Sequence, residues 1–105
     1  MKETQSYAMT EFEVTQWANA VGITKYGTLK GQLAKLREEC DELEAAIEAN
    51  DRAETRDAIG DIQIVMTMIG LLTDNDPRQC FFESAKIVTK RKGVMNEQGI
   101  FVKES

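Results

Sequence analysis

An unbroken apolar seam, Leu29, Leu33, Leu36, Cys40, Leu43 and Ile47, constrains this chain most, because its steps alternate between four and three. Only an α-helix turns that spacing into one continuous stripe, and it predicts a helix over residues 28–49. Further on, residues 58–72 contain only Asp61, Gln63 and Thr67 as strongly polar side chains. A helix from residue 51 to about residue 73 would then be apolar nearly all round and buried on several faces. It is too short and too polar to span a bilayer, which leaves the core of a bundle or a subunit interface.

The remaining punctuation is helical as well. Thr10-Glu11-Phe12-Glu13 reads as a capping box that starts a helix at Thr10. Val14, Trp17, Ala18 and Val21 follow as a stripe ended by Gly22. Trp17's place in the stripe favours the core, with stacking on a nucleobase as the functional alternative. Residues 23–27 read as a loop with Tyr26 at its tip. A turn at Asn50 leads into a second capping box, Asp51-Arg52-Ala53-Glu54. Asp76 and Pro77 have the pattern of an N-cap and first helical residue. They open a helix to about residue 92, stopped by Gly93, whose last turn carries Lys86, Lys90, Arg91 and Lys92. Apolar runs on either side of Asn96-Glu97-Gln98-Gly99 predict a short β-hairpin over residues 94–103. The expected fold is therefore all-α: one four-helix bundle-like domain over residues 1–105, completed by oligomerisation, with a short C-terminal β-hairpin.

At 105 residues a lone core buries a modest share of the chain's surface, so burial calls for a partner chain. The net charge of −5 argues against a nucleic-acid polymer, whose phosphates demand clustered cations, and against a membrane surface. Residues 1–7 show no basic region followed by an apolar stretch, so a cytoplasmic location is expected. Cys40 and Cys80 are then expected to be reduced and to serve packing. The chain has no His. The commonest general base and transition-metal ligand is therefore missing, and Asp, Glu and Lys suit hard cations such as Mg²⁺ or Mn²⁺.

Taking about 100° per residue, Lys35, Glu39 and Glu42 fall along one flank of the seam, with Glu39 nearest the core and Glu38 pointing outward. A solvated acidic face is the ordinary explanation of such a pattern. Asp61 is different, because a carboxylate inside an apolar helix pays several kcal/mol of desolvation unless something compensates it. Asp57 sits one turn earlier on the same face. Converging carboxylates would repel, and a divalent ion bound through oxygens resolves the repulsion. Pairing of Asp61 with a Lys or Arg would resolve it equally well, and periodicity does not separate the two.

Glu38-Glu39-Cys40-Asp41-Glu42, followed by Asp57-Ala58-Ile59-Gly60-Asp61, resembles the MazG-like all-α nucleoside triphosphate pyrophosphohydrolases, whose signature is E-E-x-x-E followed by E-x-x-D. The close of the chain, Lys90-Arg91-Lys92-Gly93 through Glu104, is similar to that of short phage-encoded members. The similar segments span most of the chain from Phe12 onward. One position departs: the Glu expected three residues before Asp61 is Ala58, and Asp57 is the nearest replacement.

The resemblance implies Mg²⁺-dependent cleavage of a nucleoside triphosphate, a deoxynucleotide above all, to the monophosphate and pyrophosphate. Phosphoribosyl-ATP and dUTP remain alternative substrates. It implies metal ligation by Glu39, Glu42 and Asp61, with Asp57 as the substitute ligand, and catalytic roles for Glu38 as base and Glu39. Lys35, Lys86, Lys90 and Arg91 become candidates for the β- and γ-phosphates, beside Trp17 for the base. It also implies a homodimer or homotetramer, in the host cytoplasm if the chain is phage-encoded. The alternative is a non-catalytic helical module that binds a nucleotide or a protein, which the missing Glu at position 58 favours.

Overall fold

A computed structural model describes residues 4–104, so the first three of residues 1–7, read above for an export signal, lie outside the described residues. Five helices precede a hairpin: α1 Tyr7–Val21, α2 Ile23–Tyr26, α3 Leu29–Glu48, α4 Arg52–Leu72, α5 Pro77–Val88, β1 Gly93–Met95 and β2 Phe101–Lys103. The expected all-α fold with a C-terminal hairpin is observed.

Most ends are set by the residues named from sequence. Thr28 Oγ1 accepts from Gly31 N at 3.0 Å, and Asp51 Oδ1 from Glu54 N at 3.0 Å. Asp76 Oδ1 accepts from Arg78 N at 2.9 Å, with Pro77 in the first turn. Gly22 ends α1 at φ 94°, a conformation that glycine alone adopts cheaply.

Three boundaries differ from expectation. α1 begins three residues before Thr10, because Ser6 Oγ accepts from Met9 N at 3.1 Å and caps the helix first. Glu13 is engaged by Gln5 Nε2 at 3.2 Å rather than by a cap. Residues 23–27 are not a plain loop, since the Gly22 carbonyl accepts from Tyr26 N at 2.8 Å and closes the single turn α2. α5 stops at Val88, four residues short of expectation. Thr89 Oγ1 donates to Ala85 O at 2.7 Å, and Lys90 N and Arg91 N bond only three residues back, a tightened turn that does not propagate. Lys90, Arg91 and Lys92 therefore precede the hairpin instead of forming the end of a helix.

α4 is the centre of the domain, touched by α1, α2, α3 and α5, and α3 and α4 form the most extensive packing as an antiparallel pair across residues 49–51. The expected burial of α4 on several faces is met only in part: Ala58, Val65, Thr67, Met68 and Gly70 are buried, whereas Ile59, Ile64 and Met66 stay exposed. The buried core is nevertheless small: Ala18, Ala46, Ala58, Val65 and Met68. On α3 the face turned to α4 is Gln32, Leu36, Glu39, Leu43 and Ala46, one flank of the seam. Leu29, Leu33, Cys40 and Ile47 on its other edge stay exposed.

Trp17 also departs from the expected core position: it is 51% exposed, while its neighbour Ala18 takes the contact. Cys40 and Cys80 are free but exposed, so neither serves packing within one chain. The hairpin pairs Gly93 with Lys103, Val94 with Val102 and Met95 with Phe101, around a turn in which Asn96 Oδ1 accepts from Gln98 N and Ile100 N. Among the described residues no helix is long and apolar enough to cross a membrane.

Candidate metal centre

Glu39 lies eleven residues before Asn50 and Asp61 eleven after it. Two antiparallel helices joined at that turn, rising equally per residue, bring the two to the same height. Glu42 follows one turn along α3. Oxygens of Glu39, Glu42 and Asp61 come within 4.8 Å of one another, close enough to share one cation. By the same count Ala58 stands level with Glu42 and is buried, so a methyl group occupies the position where the resembled signature has a carboxylate.

The decisive atom is Glu39 Oε2. Glu39 is only 4% exposed. Its Oε1 is 3.3 Å from Lys35 Nζ, whereas Oε2 is buried with no hydrogen-bond partner. A buried carboxylate oxygen without a partner is costly, and Glu42 and Asp61 bring two further carboxylates to the same residue. The electrostatics agree. Burial holds the Asp61 pKa above its ordinary value, with further upward pushes from the charges of Asp57 and Glu39 and a hydrogen bond with Asp57. Glu42 is raised first by the hydrogen bond its protonated form makes with Glu39, then by the Glu39 charge. Lys35 is raised by its hydrogen bond to Glu39 and the nearby carboxylates, which keeps it a cation. The donor set is all oxygen and rich in charge, suited to Mg²⁺ or Mn²⁺.

The other candidates divide. Asp57 neighbours Asp61 but stands outside the group of three. Glu38 is exposed, 4.0 Å from Lys35 Nζ. Asp61 has no Lys or Arg within ion-pair distance among the described residues, so the alternative of a direct salt bridge is not observed. Lys86 lies over the Phe82 ring of its own helix, 5.4 Å from the centroid. Neither Lys86, Lys90 nor Arg91 forms an ion pair with the carboxylates. Trp17 lies outside the groove that borders Asp61.

That groove, about 770 Å³, runs between α1 and α4, with Tyr7, Thr10 and Glu11 on one wall and Asp57, Asp61 and Gln63 on the other. Its size suits a small-molecule ligand. Sequence reasoning missed its α1 wall, and it missed the pair of Glu11 Oε1 with Arg78 Nε at 3.0 Å. That contact joins residues sixty-seven apart in sequence and leaves no periodic or local trace. Searches against protein-family models, curated proteins and solved structures find no match to this chain.

Proposed function

We propose that this protein is a Mg²⁺-dependent nucleoside triphosphate pyrophosphohydrolase of the MazG-like kind. The observation that carries the reading is Glu39: buried, with one oxygen lacking a hydrogen-bond partner, and grouped with Glu42 and Asp61. Those three would hold the ion, with Asp57 adjacent. Bound there, Mg²⁺ adds Lewis-acid charge at the phosphate oxygens and lowers the pKa of a nearby water.

The chain's own groups supply the rest. Glu38, exposed and one residue from Glu39, accepts the proton of the attacking water. The water oxygen bonds to the α-phosphorus as the bond to the α–β bridging oxygen breaks, and pyrophosphate leaves. Lys35 offsets phosphate charge while holding Glu39. The groove between α1 and α4 accommodates the nucleoside, with the amides of Gln5 and Gln63 available to its polar edges. A homodimer or homotetramer is part of this reading, supported by large apolar side chains left exposed on every long helix.

The test is release of pyrophosphate from a panel of ribo- and deoxynucleoside triphosphates, dUTP and phosphoribosyl-ATP with Mg²⁺ or Mn²⁺. Activity toward at least one is expected, abolished by Glu39→Gln and by Asp61→Asn with helical content retained. No turnover across the panel sinks the proposal. The buried Ala58 at the resembled motif's ligand position favours one second reading, a module that binds a nucleotide or a protein partner without cleavage. Calorimetry separates the two: nucleotide bound without product supports the module, and absence of any divalent-metal binding removes both site-based readings.

A further inference from the structure

Three glycines lie within helices among the described residues, and two of them have a reason in the fold. An added Cβ at Gly31 would come 3.0 Å from Thr28 Oγ1, the cap of α3, and one at Gly70 would come 2.7 Å from Asn75 O. Gly60 is different. An added Cβ there would find nothing within 4 Å, and the residue is exposed in the middle of α4. A glycine inside a helix destabilises it relative to alanine, because its backbone loses more freedom on folding. No atom of this chain requires that omission.

What lies beside Gly60 is the groove between α1 and α4. Arg56, Gly60 and Ile64 all line it, and steps of four put them on one row of the helix, each about 6 Å from the next. The missing side chain is thus a notch between a guanidinium and the apolar side chain of Ile64, itself 39% exposed. Val14 lines the groove from the α1 side, so the notch is a trough within one chain rather than an open helix face. Asp57 and Asp61, each one residue beyond Arg56 and Gly60, line the same groove. Arg56 forms no ion pair among the described residues, although both carboxylates are close to it in sequence. An unpaired cation at one end and an apolar shoulder at the other fit a ligand divided in the same way, anionic at one end and a flat ring at the other.

We infer that the base of a nucleotide lies flat in the notch at Gly60, against the backbone of α4 and beside Ile64, with Arg56 one turn away on its phosphates. Glycine at position 60 is then a binding residue. Without a Cβ the ring can approach the helix backbone closely, and any larger side chain takes the space of the ring. Arg56 supplies a planar fork of N–H donors that suits phosphate oxygens, and it stands on the same groove wall as the carboxylates proposed to hold the metal. That the ligand is a nucleotide rests on the proposed function; the notch itself does not.

The test uses the full chain with Mg²⁺ and the deoxynucleoside triphosphates of all the standard bases, each carrying a methylene group in place of the α–β bridging oxygen so that this bond is not cleaved. Without ligand, Gly60→Ala is expected to raise the melting temperature by about 2–8 °C, and Gly60→Leu to remain folded. In calorimetry, Gly60→Leu is expected to weaken the tightest analogue about tenfold or more. Arg56→Gln is expected to weaken the same analogue about tenfold with an unchanged melting temperature. A Gly60→Ala protein that melts below the wild type overturns the inference, as does a Gly60→Leu or Arg56→Gln protein that binds the analogue as the wild type does. So does a wild type that binds none of the analogues. A sedimentation coefficient altered in Gly60→Leu overturns it too, by placing Gly60 between chains. Cleavage does not enter these readouts. Binding that depends on Gly60 without turnover of the natural triphosphates keeps the inference and removes the hydrolase, whereas turnover with indifferent Gly60 variants does the reverse.

Discussion

Replacing Glu39 with Leu is expected to make the protein more stable and inactive. The starting point is Glu39 Oε2, a carboxyl oxygen buried without a hydrogen-bond partner. Leaving a buried polar group unsatisfied costs about 1–3 kcal/mol, and an apolar residue of similar volume removes that cost while filling the same space between α3 and α4. The contact with Lys35 is lost, but its Lys end is half exposed, where ion pairs contribute little. A net gain of about 1–2 kcal/mol without metal raises the melting temperature by roughly 4–16 °C for a domain of this size. With Mg²⁺ at about a hundredfold its Kd, the wild type gains about 2.7 kcal/mol and the variant gains nothing. The order of melting temperatures therefore reverses. Thermal unfolding followed by circular dichroism, in EDTA and then in saturating MgCl₂, reads both arms. A Glu39→Leu protein that melts below the wild type in EDTA would show that Glu39 is a structural partner of Lys35. One that is still stabilised by Mg²⁺ would remove it from the proposed metal site.

Other consequences can be checked in parallel. Asp61 and Glu42 are raised above their ordinary values of 3.8 and 4.5, so the metal-free folded state binds more protons than the unfolded state just above that range. Metal-free stability should accordingly fall as pH rises through the raised folded values, and Mg²⁺ should cancel the decline; urea titrations across that window check it. Gly70→Ala places a methyl 2.7 Å from Asn75 O and should cost about 1–3 kcal/mol in urea unfolding, while disturbing the direction of α5. Arg78→Met leaves Glu11 buried without its cation, so it should destabilise more than Glu11→Gln does, and the double variant should recover part of the loss.

Local rules reached far into this structure because they act within one helix. The four-three seam and its Thr28 cap defined α3, and the Asp51 and Asp76 caps opened the two helices that follow. Ser6 instead of Thr10 as the first cap, and the early end of α5 at Val88, were not legible. At the first, a side chain four residues earlier makes the capping bond; at the second, the backbone tightens to three-residue bonds before Gly93 is reached.

The sequence by itself determined that the chain is helical and which carboxylates lie on the facing flanks of two of its helices. Tertiary structure alone decided which flank of the seam faces α4, which is why Glu39 and Ala46 are buried while Leu33 and Cys40 are not. It also decided that Trp17 sits half exposed, that Glu11 captures Arg78, and that Lys90 and Arg91 form no ion pair among the described residues. The physical reason is range. Propensity and capping are settled within about a turn of helix, whereas burial and long-range pairing depend on how whole helices are aimed. Here that aim is set by one close approach at Gly70 and one ion pair between the first and last helices.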